Sequence, residues 1–440
     1  MLLNRLVHSD RALYLFARRA ICLMAVIVGL NTLRLAVQAL GPDYAHRKDF
    51  LQEYVFARAL LDGTNPYTPL PQLAERYLGT LPDPVFPHPT PHPPPVALLS
   101  LFIAPFAYPL AASIWLIMEL VWFVAALLLM RRRLALETTP RQWAMLVLAL
   151  LGTDAVFYEL IMGQLQAFTL LLLVLSWSCF RKARDLPGGA ALGAALALKL
   201  IGWPLVLLLL VQRRWKGALA AICTFCGLNV LAVLAIGVGP AYFYYTQVAP
   251  FVSGLYRSDP FNISLWSLGW RLFEGTKSMV QISLTAPPLV PWHAGAAFLS
   301  VTLPAVFVLL VTHSAVRMHD PEARFALVCC ASALVNPIAW THYGLLAIPA
   351  MIWLWIRLSA HGFPKSATYA ALGVTTMLYI RSTQLHDLAV RASGHTPVLG
   401  QTIAVPFAAS LVTLIPLITL LALMYLVWRV ERMEPADGDQ

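Results

Sequence analysis

The chain has 440 residues, of which 59% are hydrophobic and 12% are charged, with a formal net charge of +10. A soluble domain carries about 25% charged residues, so this composition excludes a water-soluble protein. The positive charge does not indicate nucleic-acid binding, because the basic residues form short clusters at the ends of apolar runs, as the topology signals of membrane proteins do.

Long apolar runs recur along the chain, at 21–40, 113–130, 144–160, 167–179, 218–238, 294–311 and 403–428. A helix needs about 20 apolar residues to cross a bilayer, and it pairs its own backbone polar groups there. The sequence therefore predicts an all-α polytopic membrane protein, a single membrane domain over residues 1–440, with about 9 to 13 transmembrane helices. The count stays open, because prolines interrupt the stretches 94–130 and 188–212, and either could be a half-helix pair that enters and leaves on one side.

The first apolar run follows a basic segment that contains Arg5, Arg11 and Arg18. This resembles a signal sequence, but the run is long and lacks an A-x-A cleavage site. We therefore predict an uncleaved first span with a cytoplasmic N-terminus. The polar residues 41–95 that follow would then form a long external loop.

Residues 49–63 of this loop predict a short amphipathic helix along the outer membrane interface, with Asp49 at its N-cap and Gly63 as its stop. In one interpretation Asp49 only caps the helix. In the other it is a carboxylate at the membrane surface, with Glu53 one turn later on the same face. Such a carboxylate can take a proton from a sugar hydroxyl.

A proline-rich stretch over residues 86–95 predicts extended, polyproline-like backbone that leads into the next helix. Its His88 and His92 could be zinc ligands, but no cysteine or second paired histidine supports this. Loop packing or substrate contact is the alternative, and we predict no metal site. The Cys223-x-x-Cys226 pair has redox spacing without a soluble redox domain around it, so its cysteines are predicted to behave as small hydrophobic residues.

Ionisable and amide side chains inside apolar segments are the strongest functional signal, because burying a charge in hydrocarbon costs a few kcal/mol. The candidates after the first loop are Glu119, Asp154, Glu159, Gln164, Gln166, Lys199, Asn262, Arg271, Asn336 and His342. Lys199, near a predicted helix break, either snorkels to an interface or contacts a phosphate. His342 is either a structural histidine or part of a site. No P-loop or dinucleotide-binding fingerprint supports a nucleotide ligand.

Taken in order, these segments resemble glycosyltransferase family 87, the polyprenol-phosphate-sugar-dependent enzymes of GT-C architecture that include mycobacterial mannosyltransferases. The resemblance covers about residues 20–350 and departs from the family at His92, usually an aromatic residue, and at Gln166, usually an asparagine. The matching residues are Asp49, Tyr54, Gly63, Tyr67, Pro93, Pro94, Pro95, Gly163, Gln164, Lys199, Pro204, Arg214, Trp215, Asn262, Ser264, Leu265, Arg271, Asn336, Pro337, Trp340 and His342.

The resemblance implies a GT-C-like bundle and an inverting hexosyltransferase in the inner (cytoplasmic) membrane, with the active site facing outside. The enzyme would move mannose or another hexose or pentose from a polyprenyl-phosphate donor to a glycolipid or cell-envelope glycan. No cofactor, tightly bound metal or nucleic acid is expected. Asp49 would be the catalytic base, and His342 is the second candidate catalytic residue.

Positive or donor groups are expected around the departing phosphate, and Lys199, Arg271 and His342 are candidates on electrostatic grounds. Asp49, Lys199 and His342 should therefore converge on one cavity that opens to the outer leaflet. The full set of expected substrate-binding residues is Glu53, Tyr54, Gln164, Lys199, Asn262 and Arg271.

Two other functions compete with this hypothesis. A lipid or glycolipid transporter would also use proline-broken helices with polar residues, but the internal repeats common in transporters are not evident here. A membrane scaffold predicts no interior ionisable residues, which fits Lys199 and Asp154 poorly. No motif specifies the sugar, the acceptor or the linkage.

Overall fold

A computed structural model describes residues 2–41, 49–81, 85–278, 283–398 and 400–433. The regular structure of these residues is mostly helical, as the apolar runs predict. The first helices are α1 (Leu2–Gln38), α2 (Phe50–Leu61), α3 (Leu70–Leu78), α4 (Pro94–Ser100), α5 (Tyr108–Arg133), α6 (Pro140–Leu151), α7 (Asp154–Met162), α8 (Gln166–Phe180), α9 (Asp185–Leu198), α10 (Trp203–Val211) and α11 (Trp215–Ile236).

The second half continues in the same way, with 3-10 segments at Leu101–Ile103, Thr341–Ala347 and Leu411–Leu414 and a π-helical turn at Tyr244–Val248. Its helices are α12 (Val238–Phe243), α13 (Ala249–Leu255), α14 (Leu265–Phe273), α15 (His293–Arg317), α16 (Pro321–Ser332), α17 (Ile348–Ala360), α18 (Lys365–Met377), α19 (Ser382–Ala392), α20 (Phe407–Ser410) and α21 (Ile415–Glu431).

A small sheet was not predicted from the sequence. It consists of β1 (Thr276–Lys277), β2 (Ser283–Ala286) and β3 (Thr402–Ala404), with β1 and β2 antiparallel and β2 and β3 parallel. Leu284 and Ile403 from this sheet pack with Ala389 of α19 in a small core separate from the main one. Strands this short carry no period-2 pattern, so only the tertiary fold reveals them.

In the part of the chain that the structure describes, six helical segments are long and apolar enough to cross a membrane: Arg19–Gln38, Tyr108–Arg133, Trp215–Ile236, His293–Arg317, Thr341–Ala360 and Phe407–Glu431. Helices α6 and α7 add a seventh if they count as one span, although the break between them bends by 74°. The predicted 9 to 13 spans are not confirmed. Helices α8 and α9, of 15 and 14 residues, are shorter than the roughly 20 residues that a span requires.

Both proline-rich interruptions predicted from the sequence are present. The stretch 94–130 is divided between α4 and α5, and 188–212 is divided between α9 and α10. Helix α9 packs against α11 so closely that a Cβ on Gly193 would collide with the Ala221 carbonyl oxygen. A larger residue at position 193 would therefore separate these two helices.

Basic residues gather where several helices end. Arg214 Nη2 lies 2.9 Å from Asp185 Oδ1 and donates to the Phe180 carbonyl, while Arg181 Nε donates to Glu322 Oε1 over 2.8 Å. The end of α8 and the starts of α9, α11 and α16 therefore meet at one end of the bundle. Helices α8 and α9 pack side by side and are joined by only four residues, so they run in opposite directions. The start of α8 and the end of α9 therefore lie together at the far end from these arginines, where Lys199 donates to Gln164.

Helix α2 differs from the amphipathic interface helix expected for this segment. It begins after Asp49 and ends before Gly63, whose φ of +66° stops it as predicted. Most of its residues are buried, including the polar Gln52 and Glu53, because α3, α4 and α5 pack around it. The expectation of an exposed polar face on this helix is therefore wrong, whereas its position at the outer interface stays a prediction. Asp49 occupies the N-cap position, but its side chain makes no capping hydrogen bond, so the capping interpretation is also wrong.

Candidate active site

Asp49, Gln164 and Lys199 form a continuous hydrogen-bonded chain. Gln164 Nε2 donates to Asp49 Oδ2 over 2.6 Å, and Lys199 Nζ donates to Gln164 Oε1 over 2.8 Å. Because 115 positions separate Asp49 from Gln164, only the tertiary fold brings these groups together. The structure thus gathers a carboxylate and an ammonium group around one amide.

Asp49 lies outside the candidate spans, just before α2, and is partly exposed. Its pKa is raised to about 6, mainly by burial and then by the nearby charge of Glu53, while His92, the hydrogen bond from Gln164 and Lys199 act in the opposite direction. A carboxyl group with this pKa is mostly ionised at pH 7 and is a stronger base than an ordinary aspartate. Asp49 is therefore suited to accept a proton.

The turn between α7 and α8 positions Gln164. Gly163 has a φ of +73°, a conformation that favours glycine, and a Cβ there would lie 2.7 Å from Phe50 Cβ. The carbonyl of Gly163 accepts a hydrogen bond from Trp115 Nε1 over 3.1 Å. The backbone next to Gln164 is therefore anchored to both α2 and α5.

Lys199 lies at the break between α9 and α10, where its backbone is extended with φ −149° and ψ 124°. The residue is only 7% exposed, and its Nζ lies 5.0 Å from the centroid of the Tyr343 ring, a cation–π arrangement. The snorkelling interpretation is therefore wrong for Lys199. Its ammonium group points into the protein and donates to Gln164.

Carboxylates surround the Lys199 ammonium group. Lys199 interacts electrostatically with Glu159, Glu53 and Asp49. Glu159 also accepts a hydrogen bond of 2.5 Å from the Ala167 backbone N–H, in the first turn of α8, where the helix dipole favours a negative charge. Glu159 thus binds the start of α8 and adds negative charge near the lysine at the end of α9.

His342 lies in the 3-10 segment Thr341–Ala347 and is 4% exposed. Its ring meets Tyr343 edge-on with centroids 4.9 Å apart, and it interacts electrostatically with Lys199 and His92. Within the described residues, its Nε2 has no hydrogen-bond partner. A buried polar atom of this kind is available to a ligand or an ordered water.

Glu53 and His92 form a buried pair beside Asp49. Glu53 Oε1 lies 3.0 Å from His92 Nε2, close enough for an ion pair, although the two groups lack the alignment of a hydrogen bond. The hydroxyl of Tyr67 donates to the His92 carbonyl over 2.9 Å and so fixes the proline-rich segment at this point. We define the candidate site by these groups: Asp49, Glu53, His92, Glu159, Gln164, Lys199, His342 and Tyr343.

The two histidines of the proline-rich segment face different partners. His88 Nδ1 lies 2.7 Å from the Pro89 carbonyl oxygen, and its Nε2 lies 2.9 Å from the Tyr256 hydroxyl. His92 faces Glu53 instead. This arrangement favours the packing interpretation for His88 over a shared zinc site.

Tyr54 and Asn262, both predicted to bind substrate, have side chains engaged with backbone groups. The Tyr54 hydroxyl donates to the Phe106 carbonyl over 2.9 Å. The Asn262 amide donates to the carbonyls of Tyr256 and Pro337. Its oxygen accepts the backbone N–H groups of Ser264 and Ala339. Asn262 therefore joins two loops, and its predicted role in substrate binding stays a prediction.

Arg271, a predicted phosphate contact, lies in a different set of interactions from Lys199. It donates to the Ser410 carbonyl over 3.0 Å and to Thr413 Oγ1 over 2.5 Å, and its Nε lies 3.3 Å from Thr276 Oγ1. These bonds tie α14 to the segment that precedes α21. The contacts of Arg271 thus support a structural role at that position.

Glu159 was singled out from the sequence as an ionisable candidate but was given no role in the site, and Tyr343 was not predicted. The acidic Glu159 inside an apolar run was a usable signal, whereas a tyrosine in such a run carries none. Gln166 is fully buried, and both atoms of its amide are without a hydrogen-bond partner in the described part of the chain. Its position directly after Gln164 and Leu165 places this unpaired amide at the start of α8.

Comparison with known proteins identifies the family. The model of glycosyltransferase family 87 matches residues 91–337, more than half of the chain, and the chain therefore belongs to this family. The matched region contains Gln164 and Lys199, whereas Asp49 and His342 lie outside it. No solved structure matches the chain.

Two kinds of curated relative are similar to the chain. An alpha-(1->3)-arabinofuranosyltransferase of Mycobacterium tuberculosis is 29% identical over 264 residues, which cover 58% of this chain and 56% of the relative. A polyprenol-phosphate-mannose-dependent alpha-(1-2)-phosphatidylinositol pentamannoside mannosyltransferase of Mycolicibacterium smegmatis is 26% identical over 324 residues, which cover 73% of this chain and 72% of the relative. The chain thus spans little more than half of the arabinofuranosyltransferase.

Proposed function

We propose that this member of glycosyltransferase family 87 is a membrane glycosyltransferase. It transfers a hexose or pentose from a polyprenyl-phosphate donor to a glycolipid or cell-envelope glycan, with inversion at the anomeric carbon. The observation that carries this proposal is the chain from Asp49 through Gln164 to Lys199, which holds a base and a cation on either side of one amide.

In the proposed reaction, Asp49 removes the proton from an acceptor hydroxyl as the acceptor oxygen forms a bond to the anomeric carbon. The bond between that carbon and the phosphate oxygen breaks, and its electron pair leaves with the polyprenyl phosphate. The phosphate gains negative charge during this step, so a preorganised cation next to it stabilises the transition state. Lys199 is the cation of the candidate site, and His342 Nε2 offers a further hydrogen bond.

The names of the relatives support the substrate classes. One relative is named for dependence on a polyprenol-phosphate-linked mannose and the other for transfer of arabinofuranose, so the proposed sugar class includes both hexoses and pentoses. The mannosyltransferase is also named for a phosphatidylinositol glycolipid. A lipid-linked donor and a glycolipid acceptor both suit a chain with several apolar helices long enough to cross a membrane.

The direct test uses purified wild-type protein with polyprenyl-phosphate mannose or polyprenyl-phosphate arabinofuranose and acceptor lipids extracted from membranes. The expected products are glycosylated acceptor and free polyprenyl phosphate in equal amounts, measured by mass spectrometry. A glycolipid transporter would instead move intact lipid across vesicle membranes without forming either product. Such movement, with no transfer from either donor, would overturn the proposal.

The candidate site is proposed to face the outside of the inner membrane. Arginine-rich helix ends are typical of the cytoplasmic side, and the start of α8 and the end of α9 lie far from them. Thr80 is exposed in the loop between α3 and α4, on the chain segment that supplies Asp49 and His92. We expect a cysteine at Thr80 to react with a membrane-impermeant thiol reagent in intact cells.

The labelling experiment requires a background in which all six native cysteines are replaced by alanine. The matched control is a cysteine at Glu137, which is exposed between α5 and α6 beside the arginine-rich end of α5. It should react only after the membrane is permeabilised. The reverse pattern at the two positions would place the candidate site in the cytoplasm and contradict the proposed donor side.

A further inference from the structure

The Gln164 side chain uses both ends of its amide inside the candidate site. It is 4% exposed, donates from Nε2 to Asp49 Oδ2 over 2.6 Å and accepts at Oε1 from Lys199 Nζ over 2.8 Å. It is therefore the direct link between the proposed base and the proposed phosphate-binding cation.

The chemistry of Lys199 determines which way the amide of Gln164 points. An ammonium group has three donors and no acceptor, so its partner must be the amide oxygen. The other end of the amide is then an NH₂ group, which can only donate. Asp49 Oδ2 must therefore be an acceptor, which means that this oxygen carries no proton.

The two oxygens of Asp49 consequently differ. Oδ2 receives the short bond from Gln164, whereas Oδ1, among the residues that the structure describes, has a long contact of 3.4 Å with Gln52 Nε2. A proton removed from an acceptor hydroxyl can add to Oδ1 without breaking the bond from Gln164. Protonation at Oδ2 would place two hydrogens against each other.

We propose that Gln164 is a positioning residue that reserves Asp49 Oδ1 for the proton of the acceptor and ties the position of the base to that of Lys199. This inference rests on the proposed function, because it assigns Asp49 as the base and Lys199 as the cation. Binding of the donor phosphate against Lys199 then also orients Asp49, so the base is in place when the donor is bound. The anchored turn at Gly163 keeps Gln164 in position for both bonds.

Several titratable groups face Asp49 and contribute to its ionisation together with Gln164. They are Glu53 on the same helix, His92 on the proline-rich segment, Lys199 between α9 and α10, and the more distant Tyr108, Tyr256 and Tyr343. The substitution of Gln164 alone leaves the chemical identity of all these groups unchanged. A variant at position 164 therefore isolates the contribution of the amide.

The test is Gln164→Leu, which removes both hydrogen bonds while filling the space, so that Lys199 cannot move directly onto Asp49. In the wild type, kcat/KM should fall below about pH 6, because Asp49 is protonated there and cannot act as a base. The variant loses the hydrogen bond that favours the carboxylate, so this acid limb should move up by about one pH unit. The KM for the donor should rise as well, because Lys199 loses its fixed partner.

Two further variants separate this role from a purely structural one. Glu53→Gln removes a like charge next to Asp49 and should move the acid limb down, opposite to Gln164→Leu. Gln212→Leu makes the same substitution at the arginine-rich end of the bundle and should leave the acid limb unchanged. An active Gln164→Leu enzyme whose acid limb coincides with that of the wild type would overturn the proposal.

Infrared difference spectroscopy of the Asp49 carboxyl group gives a readout that does not require activity. The band of the protonated acid should appear at higher pH in Gln164→Leu than in the wild type, and it should be missing in Asp49→Asn. If this shift occurs but no polyprenyl-phosphate sugar is turned over, the positioning role of Gln164 is supported and the proposed function fails. If turnover occurs and the band titrates identically in both proteins, the positioning role of Gln164 is wrong while the proposed function stands.

Discussion

Asp49→Asn should lower the turnover of a polyprenyl-phosphate sugar by roughly 10²-fold or more, the usual contribution of a general base. Asparagine has nearly the same size, and its side-chain oxygen can still accept the hydrogen bond from Gln164. It cannot take a proton from the acceptor hydroxyl. The measurement is transfer by purified wild type and variant at pH 7, above the pKa of about 6 for Asp49.

Folding and donor binding should survive this substitution. The Asp49 side chain does not cap α2, so no capping hydrogen bond is lost, and Lys199 keeps its bond to Gln164. Both proteins should therefore melt at similar temperatures, and both should be stabilised by added polyprenyl phosphate. Asp62→Asn is the matched control, because Asp62 is exposed at the other end of α2 and should retain full activity. Near wild-type turnover in Asp49→Asn would sink the assignment of the base.

The membrane class of the chain and much of its candidate site could be predicted from the sequence for the same physical reason. Burying polar groups in hydrocarbon is costly, so long apolar runs identify the helices and the few polar residues within or beside them identify the site. Gln164, Lys199 and His342 were found in this way. The helix break at Lys199 was visible from Gly202 and Pro204.

The surroundings of α2 could not be predicted, because local sequence does not reveal what packs against a helix. Gln52 and Glu53 look like the polar face of an interface helix, yet both are buried. Glu53 is accommodated because His92 approaches it from the proline-rich segment. That pairing depends on a bend of the loop held by Tyr67, which no local pattern encodes.

The predicted number of spans is not confirmed, for a related reason. Hydropathy reports that a segment prefers an apolar environment, but it does not distinguish a helix that crosses the membrane from one that stops halfway. Helices α8 and α9 are apolar enough to suggest spans, yet they are too short. The start of α8 and the end of α9 lie at the candidate site, where Gln166 and Lys199 would be costly to expose to lipid.

Lys199→Met should abolish most of the donor-dependent activity, with kcat/KM for the polyprenyl-phosphate sugar falling by roughly 10²- to 10³-fold, as for removal of one preorganised group that stabilises transition-state charge. Methionine keeps the length of the side chain but cannot balance charge on the departing phosphate. Added polyprenyl phosphate should therefore stabilise the variant less than it stabilises the wild type or Asp49→Asn. This difference in stabilisation by polyprenyl phosphate distinguishes a variant that has lost phosphate binding from one that has lost only the base.

The single substitution also removes the positive charge that offsets buried Glu159, and a buried carboxylate without a compensating cation destabilises the folded protein. Reduced activity in Lys199→Met alone could thus reflect unfolding. The double variant Lys199→Met, Glu159→Gln removes the unbalanced charge, and the introduced glutamine amide can still accept the hydrogen bond from the Ala167 backbone N–H. We expect this protein to melt close to the wild-type temperature and yet remain inactive. A folded double variant with wild-type turnover would show that Lys199 only neutralises Glu159, and the phosphate contact would have to be sought elsewhere, first at His342 Nε2.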